Sequence, residues 1–90
     1  MGVTEDLADA LAKDVIDAEK TLGLEEGTLT NEISQVIGAS STTTQEAFLT
    51  AMRVRRAEQR ARKYLEAKLA GSEDLPKLPD TADLIQTSDH

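Results

Sequence analysis

Apolar residues recur at helical spacing in the first part of the chain. The stripe has intervals of three or four residues and consists of Leu7, Leu11, Val15, Ala18 and Leu22. This is the period of an amphipathic helix with one apolar face. The pattern predicts a helix over residues 4–22, which ends before Gly23 because glycine commonly terminates helices in a left-handed conformation.

A second, shorter helix is predicted over residues 30–37. Leu29, Ile33 and Ile37 fall on one side of this segment, and Gly38 follows it. An isolated helix of this length is marginal in water, so we expect it to depend on packing against its neighbours.

The third predicted helix is much longer and covers residues 43–70. Its start is indicated by two overlapping capping boxes, Thr42 with Gln45 and Thr43 with Glu46, and no helix breaker occurs before Gly71. A helix of about 27 residues is about 40 Å long, whereas a compact domain of this size is roughly 30 Å across. We therefore expect the helix to project, to bend or to be covered by another chain.

The third helix changes character along its length. Its first turns are apolar on nearly every side, which predicts that the other two helices enclose them. Further on, a single stripe of mostly small residues continues, which we call the apolar seam and expect to build a coiled-coil or bundle oligomer. The seam consists of Ala47, Val54, Ala57, Ala61, Tyr64 and Leu65. Basic side chains lie beside it within about 80° on the helical wheel. We call them the basic rail: Arg53, Arg56, Arg60 and Lys63.

Residues 72–90 read as an acidic, mostly irregular tail. Pro76 and Pro79 disfavour helix, and the few apolar residues are candidates for docking a larger protein partner. These candidates are Leu75, Leu78, Leu84 and Ile85. The sequence thus predicts an all-α protein in which residues 1–71 form a domain of two short helices packed on the long third helix.

Charge is segregated along the chain, whose net charge is −7. Residues 1–46 carry ten acidic side chains against two basic, and residues 47–70 carry seven basic against two acidic. Two interpretations of the basic rail remain open. In one, it contacts the phosphates of double-stranded DNA; in the other, it pairs with acidic residues of the same or a neighbouring chain. The negative net charge favours the second interpretation, because it repels nucleic acid.

The residues needed for catalysis are sparse. The chain has no cysteine, its one histidine is the terminal His90, and its serines have no neighbouring base to activate them. Acidic pairs such as Glu5 and Asp9 are typical of a solvated helix face. We therefore expect no catalytic site, no metal site and no cofactor. The absence of a long apolar run and of a signal-peptide pattern predicts a cytoplasmic protein without membrane contact.

Residues 29–48 resemble a helix-turn-helix element. Ile33, Ser34, Ile37, Gly38 and Ala39 match the order of apolar, small and glycine residues in that motif, whereas Thr44 stands where a buried Val or Ile is usual. The resemblance implies contacts to DNA at the start of the third helix. The implied contact residues are Ser41, Thr42, Thr43 and Gln45.

The order of a short helical unit, an oligomerising helix and an acidic tail is similar to the layout of phage-type small terminase subunits. This resemblance of layout implies a non-enzymatic homo-oligomer that associates with DNA, as a packaging or regulatory subunit, and hands it to a motor protein docked on the tail. The alternative is an acidic adaptor or assembly factor that binds proteins and no nucleic acid.

Overall fold

The computed structural model describes residues 2–71 and Leu78. Its regular elements in this part of the chain are three helices, α1 (Val3–Leu22), α2 (Thr28–Gly38) and α3 (Thr42–Leu69). Two shorter helices pack on a long third one, so the predicted all-α class is confirmed. The predicted helix ends differ from the observed ends by at most two residues, and the end of the first helix is the same in both. The chain divides into two compact units, Met1–Arg60 and Ala61–His90, and α3 contributes to both.

The core lies in the first unit and is small. Its fully enclosed members come from α1 and α3, and Phe48 is the one large side chain with no exposed surface among the described residues. The buried apolar residues are Ala8, Ala12, Val15, Ile16, Phe48 and Met52. Side chains of α2, including Leu29, Ile33 and Ile37, cover this cluster while remaining partly exposed. The core is therefore built by packing the first turns of α3 against α1. This was predicted from the apolar residues on nearly every side of those turns.

The buried face of α1 differs from the predicted stripe. Leu7 and Leu22 are 65% and 66% exposed, whereas Ala8, Ala12 and Ile16 are buried. At 100° per residue the buried face is rotated by roughly 80° from the centre of the predicted stripe. Small alanines allow the neighbouring helix to approach closely, so the large residues Phe48 and Met52 pack where the side chains of α1 are smallest. The predicted stripe was right at Val15, which is buried, and at Leu11, which packs against the core. It was wrong at Leu7 and Leu22, because apolar spacing alone does not show which positions the neighbouring helices cover.

Two glycines shape the connection from α1 to α2. Gly23 adopts a left-handed conformation with φ of 69°, and the N–H of Leu24 donates to the carbonyl oxygen of Glu19 at 2.9 Å. This is the expected glycine termination of α1. Gly27, with φ of 97°, stands at the N-cap of α2, where a residue with a Cβ would be strained.

The corner between α2 and α3 is held by polar side chains. The hydroxyl oxygen of Ser41 accepts the N–H of Thr44 at 3.1 Å, so Ser41 caps α3. The Gln45 amide nitrogen donates to the carbonyl oxygen of Ser34 at 2.9 Å. Gly38 is the last residue of α2, and a Cβ there would clash with that nitrogen. The predicted pairing of Thr42 with Gln45 as a capping box is therefore wrong, because Gln45 instead ties α3 to α2.

The rotated face of α1 generates a direct comparison of two substitutions. Ile16→Ala is expected to lower the free energy of unfolding by about 2–5 kcal/mol, because it leaves a cavity in the core. Leu22→Ala is expected to change it by less than about 0.5 kcal/mol, because Leu22 is already exposed. Urea denaturation followed by circular dichroism measures both values. A larger loss for Leu22→Ala than for Ile16→Ala would contradict the observed rotation.

Candidate functional site

The carboxylate of Glu19 is buried at the junction of the helices. One oxygen, Oε2, accepts the backbone N–H groups of Gly27, Leu29 and Thr30 at 3.1, 3.0 and 3.2 Å, together with the Thr30 hydroxyl at 3.3 Å. These N–H groups belong to the start of α2, and the N-cap residue Gly27 has no side chain of its own to satisfy them. Glu19 therefore caps α2 from a different helix, with its negative charge at the positive end of the α2 dipole.

Arg56 of α3 neutralises this buried carboxylate. Its Nη2 donates to Glu19 Oε1 at 2.7 Å and to the Thr30 hydroxyl oxygen at 3.1 Å. The exposed fraction of the Arg56 side chain is 16%, and that of Glu19 as a residue is 4%. Burial favours the neutral acid, but the hydrogen bonds from Arg56 and Thr30 outweigh it and hold the pKa of Glu19 below its ordinary value. One carboxylate thus joins α1, α2 and α3.

Two further arginines pair α3 with acidic residues of the same chain. Arg60 Nη2 donates to Glu26 Oε2 at 2.8 Å, between α3 and the connection before α2. Arg55 donates twice to the carboxylate of Asp9, at 2.7 and 2.8 Å. The hydrogen bond from Arg55 lowers the pKa of Asp9. Charges that are distant in sequence therefore compensate each other in space.

The four members of the basic rail have different surroundings. Arg56 is mostly enclosed by its partners, and Arg60 is paired with Glu26 while its side chain stays exposed. Arg53 and Lys63 are exposed on the surface of α3. The rail is not a uniform row of side chains directed at one external ligand.

The residues implied by the helix-turn-helix resemblance also differ in their surroundings. Ser41 caps α3 and Gln45 binds Ser34, so both have partners within the chain. Thr42 and Thr43 are exposed in the first turn of α3.

Members of the apolar seam lie mostly at the surface of the units described. Val54 is 63% exposed and Leu65 is 53% exposed, whereas Ala47 packs against the core and Tyr64 is half-buried. Ala57 and Ala61 are exposed. Of the tail candidates, Leu78 is exposed, and Leu75, Leu84 and Ile85 lie outside the described residues.

A groove of about 470 Å³ runs between the start of α1 and the first half of α3, within the first unit. Its apolar lining includes the seam residues Ala47 and Val54. Its charged lining is entirely acidic and consists of Glu5, Asp6, Asp9 and Glu46. Asp9 is the member paired with Arg55. An apolar surface bordered by carboxylates fits a ligand that is itself apolar and basic.

Sequence reasoning missed Glu19, which makes more contacts between elements than any side chain we predicted. A signal for it exists, since Glu19 falls on the same helical arc as Ala8, Ala12 and Val15. An acidic residue on an apolar arc predicts a buried ion pair, because an unpaired buried charge is too costly to keep. The acidic groove was also missed, because Glu5 and Asp9 were interpreted as a solvated face.

Within residues 2–71, no group of three or more histidine, cysteine, aspartate or glutamate side chains is arranged to hold a metal ion. No helix in the described part of the chain is long and apolar enough to cross a membrane.

The Glu19 pair generates a stability prediction. Glu19→Gln is expected to lower the free energy of unfolding by about 3–5 kcal/mol, because Arg56 loses its buried partner and keeps only the exposed Glu26, whose Oε2 lies 3.5 Å from Arg56 Nη1. Asp14→Asn, on the exposed face of the same helix, makes the same chemical change and is expected to cost less than about 0.5 kcal/mol. Urea denaturation at one fixed protein concentration measures both. Equal losses in the two variants would show that the Glu19 pair is not what joins the helices.

The lowered pKa of Glu19 predicts how stability depends on pH. Because the folded pKa lies below the unfolded value of about 4.5, the contribution of Glu19 is complete above that pH and is lost as the pH falls through the folded pKa. The wild type should therefore lose its advantage over Glu19→Gln progressively as the pH falls below about 4.5. Thermal denaturation of both proteins across this range measures the difference. A gap that stays constant with pH would contradict the assignment.

Comparison of the chain with family models, with curated proteins and with solved structures finds no match at a significant level.

Proposed function

We propose that this protein is a non-enzymatic helical assembly module that acts by binding protein chains, through the acidic and apolar groove between α1 and α3. This is the adaptor or assembly-factor interpretation of the sequence. The expected partner is a helix with an apolar face bordered by basic residues, because the groove is lined by apolar side chains and bordered by carboxylates.

The proposal rests on one observation: Arg56, in the middle of the basic rail, forms an ion pair inside the fold. Arg56 is mostly buried against Glu19, and Arg55 and Arg60 are paired with Asp9 and Glu26. A guanidinium that already binds a carboxylate must break that pair before it can bind a phosphate. The pairing thus removes much of the basic surface on which association with DNA would depend.

The charge left at the surface supports the same proposal. Residues 1–46 contain ten acidic side chains and only two basic ones. Several of the acidic side chains, such as Asp6, Glu32 and Glu46, are exposed. A surface of this sign attracts basic partners and repels nucleic acid.

Association with double-stranded DNA, as in a small-terminase-like packaging or regulatory subunit, is the second candidate. The observation that favours it is the exposure of Arg53 and Lys63 on α3, together with that of Thr42 and Thr43 at its first turn. In this case Arg53 and Lys63 would bind phosphates directly, and Arg60 would exchange Glu26 for a phosphate.

A pair of titrations distinguishes the two candidates. A synthetic amphipathic helix of leucine and lysine is the protein-like probe, and a fluorescein-labelled 20-base-pair duplex is the DNA probe, both at about 50 mM salt, where phosphate contacts are strong. We expect the peptide to bind and the duplex to show no binding at micromolar protein. Fluorescence anisotropy measures the duplex and isothermal titration calorimetry the peptide.

Matched variants show which surface is responsible. The double change Glu5→Gln and Glu46→Gln removes two charges from the groove and is expected to weaken peptide binding about tenfold, the effect of about 1.4 kcal/mol. The double change Asp14→Asn and Glu32→Gln removes two charges elsewhere and is expected to have little effect. Duplex binding that disappears in Arg53→Glu with Lys63→Glu would replace the proposal with the second candidate.

A further inference from the structure

We infer that the groove between α1 and α3 receives α3 of a second copy of this chain, so that two α3 helices pair antiparallel along the apolar seam. The inference rests on the proposed function and gives it a first partner. It assigns a role to apolar residues that are exposed in the part of the chain that the structure describes.

The groove and the seam are continuous on α3. Ala47 and Val54 line the groove and are also members of the seam, which continues along the helix as Ala57, Ala61 and Leu65. Val54 and Leu65 are each more than half exposed. A stripe of small residues with larger apolar ones at its ends lets a second helix approach closely and bury those ends.

The charges of the two surfaces are complementary. The groove carries Glu5, Asp6 and Glu46 in addition to the paired Asp9. The later part of α3 is basic, and Lys68 lies on the seam itself, three residues after Leu65 and seven after Ala61. A second copy therefore supplies the apolar and basic helix that this acidic groove fits.

The antiparallel direction follows from the positions of these charges around Ala57. Glu46 lies eleven residues before Ala57, and Lys68 lies eleven residues after it. When two helices pair antiparallel with Ala57 at the centre, Glu46 of each copy meets Lys68 of the other. Thr50 and Tyr64, seven residues on either side of Ala57, meet in the same way. Parallel pairing would instead place Glu46 beside Glu46.

The contact between the two copies is symmetric. Each copy contributes one groove and one basic helix end, so the two contacts of the pair are related by a two-fold axis at Ala57. An isologous contact of this kind uses the same surface of both copies and yields a dimer without further growth.

A charge-swap experiment tests the pairing. Glu46→Lys and Lys68→Glu are each expected to raise the dimer dissociation constant by about tenfold or more, because each places like charges together at both ends of the dimer. The double variant restores the pair with reversed sign and is expected to recover most of the affinity. Sedimentation velocity across a concentration series measures all three, with Glu32→Lys, outside the groove, as the control.

Cysteine cross-linking tests the direction, because the chain contains no cysteine of its own. A protein carrying both Glu46→Cys and Lys68→Cys should form a covalent dimer under mild oxidation, whereas Glu46→Cys alone should remain monomeric on a non-reducing gel. Efficient cross-linking of Glu46→Cys alone would overturn the antiparallel pairing.

Two other outcomes overturn the inference and leave the proposed function intact. A wild type that is monomeric at about 100 μM, roughly the upper range of ordinary measurement, excludes pairing of any useful strength. Single charge reversals that weaken the dimer no more than Glu32→Lys does would place the contact elsewhere. In either case, binding of the leucine and lysine peptide without binding of the duplex still supports a protein-binding module.

Discussion

The fold depends on one buried ion pair, between Glu19 of α1 and Arg56 of α3. The carboxylate also satisfies the first backbone N–H groups of α2, a helix whose N-cap residue is a glycine with no side chain to cap it. A charge this deeply buried is tolerated only when its hydrogen bonds are satisfied, and here each oxygen has at least one donor. Because the three donors of α2 and the guanidinium of α3 must converge on the same group, the pair sets how α1 is rotated. The rotation in turn decides which side chains enter the core.

A core this small explains why such a pair matters. The enclosed apolar residues include two alanines and one aromatic ring, so hydrophobic burial supplies less stabilisation than in a larger domain. An ion pair is a weak source of net stability, but it is specific, since few arrangements of three helices satisfy every donor and acceptor. We attribute the defined packing of α2, which would be marginal alone, to this requirement.

The same pairing changes what the surface can bind. Arginines that suggested a phosphate-binding row are in part engaged with carboxylates from α1 and the connection after it. Other acidic residues, Glu5, Asp6 and Glu46, border an apolar groove, and the apolar seam of α3 begins in that groove. Segregated charge along the chain thus provides two complementary surfaces, one used within the fold and one directed outward, where we propose that it meets other helices.

The sequence by itself determined the elements. Helical periodicity, the glycine at residue 23 and the uninterrupted run before Gly71 were sufficient to predict three helices and their approximate ends, because these are local properties of the backbone. Only the tertiary structure decided which face of α1 is buried. It also decided that Glu19 of α1 caps α2 and that Gln45 of α3 binds Ser34 of α2 and does not cap its own helix. These outcomes depend on the shapes and charges that meet when helices pack. Small residues such as Ala8 and Ala12 permit closer contact than leucine, and a buried carboxylate must lie where its donors converge, so neither could be read from the order of hydrophobic and polar positions.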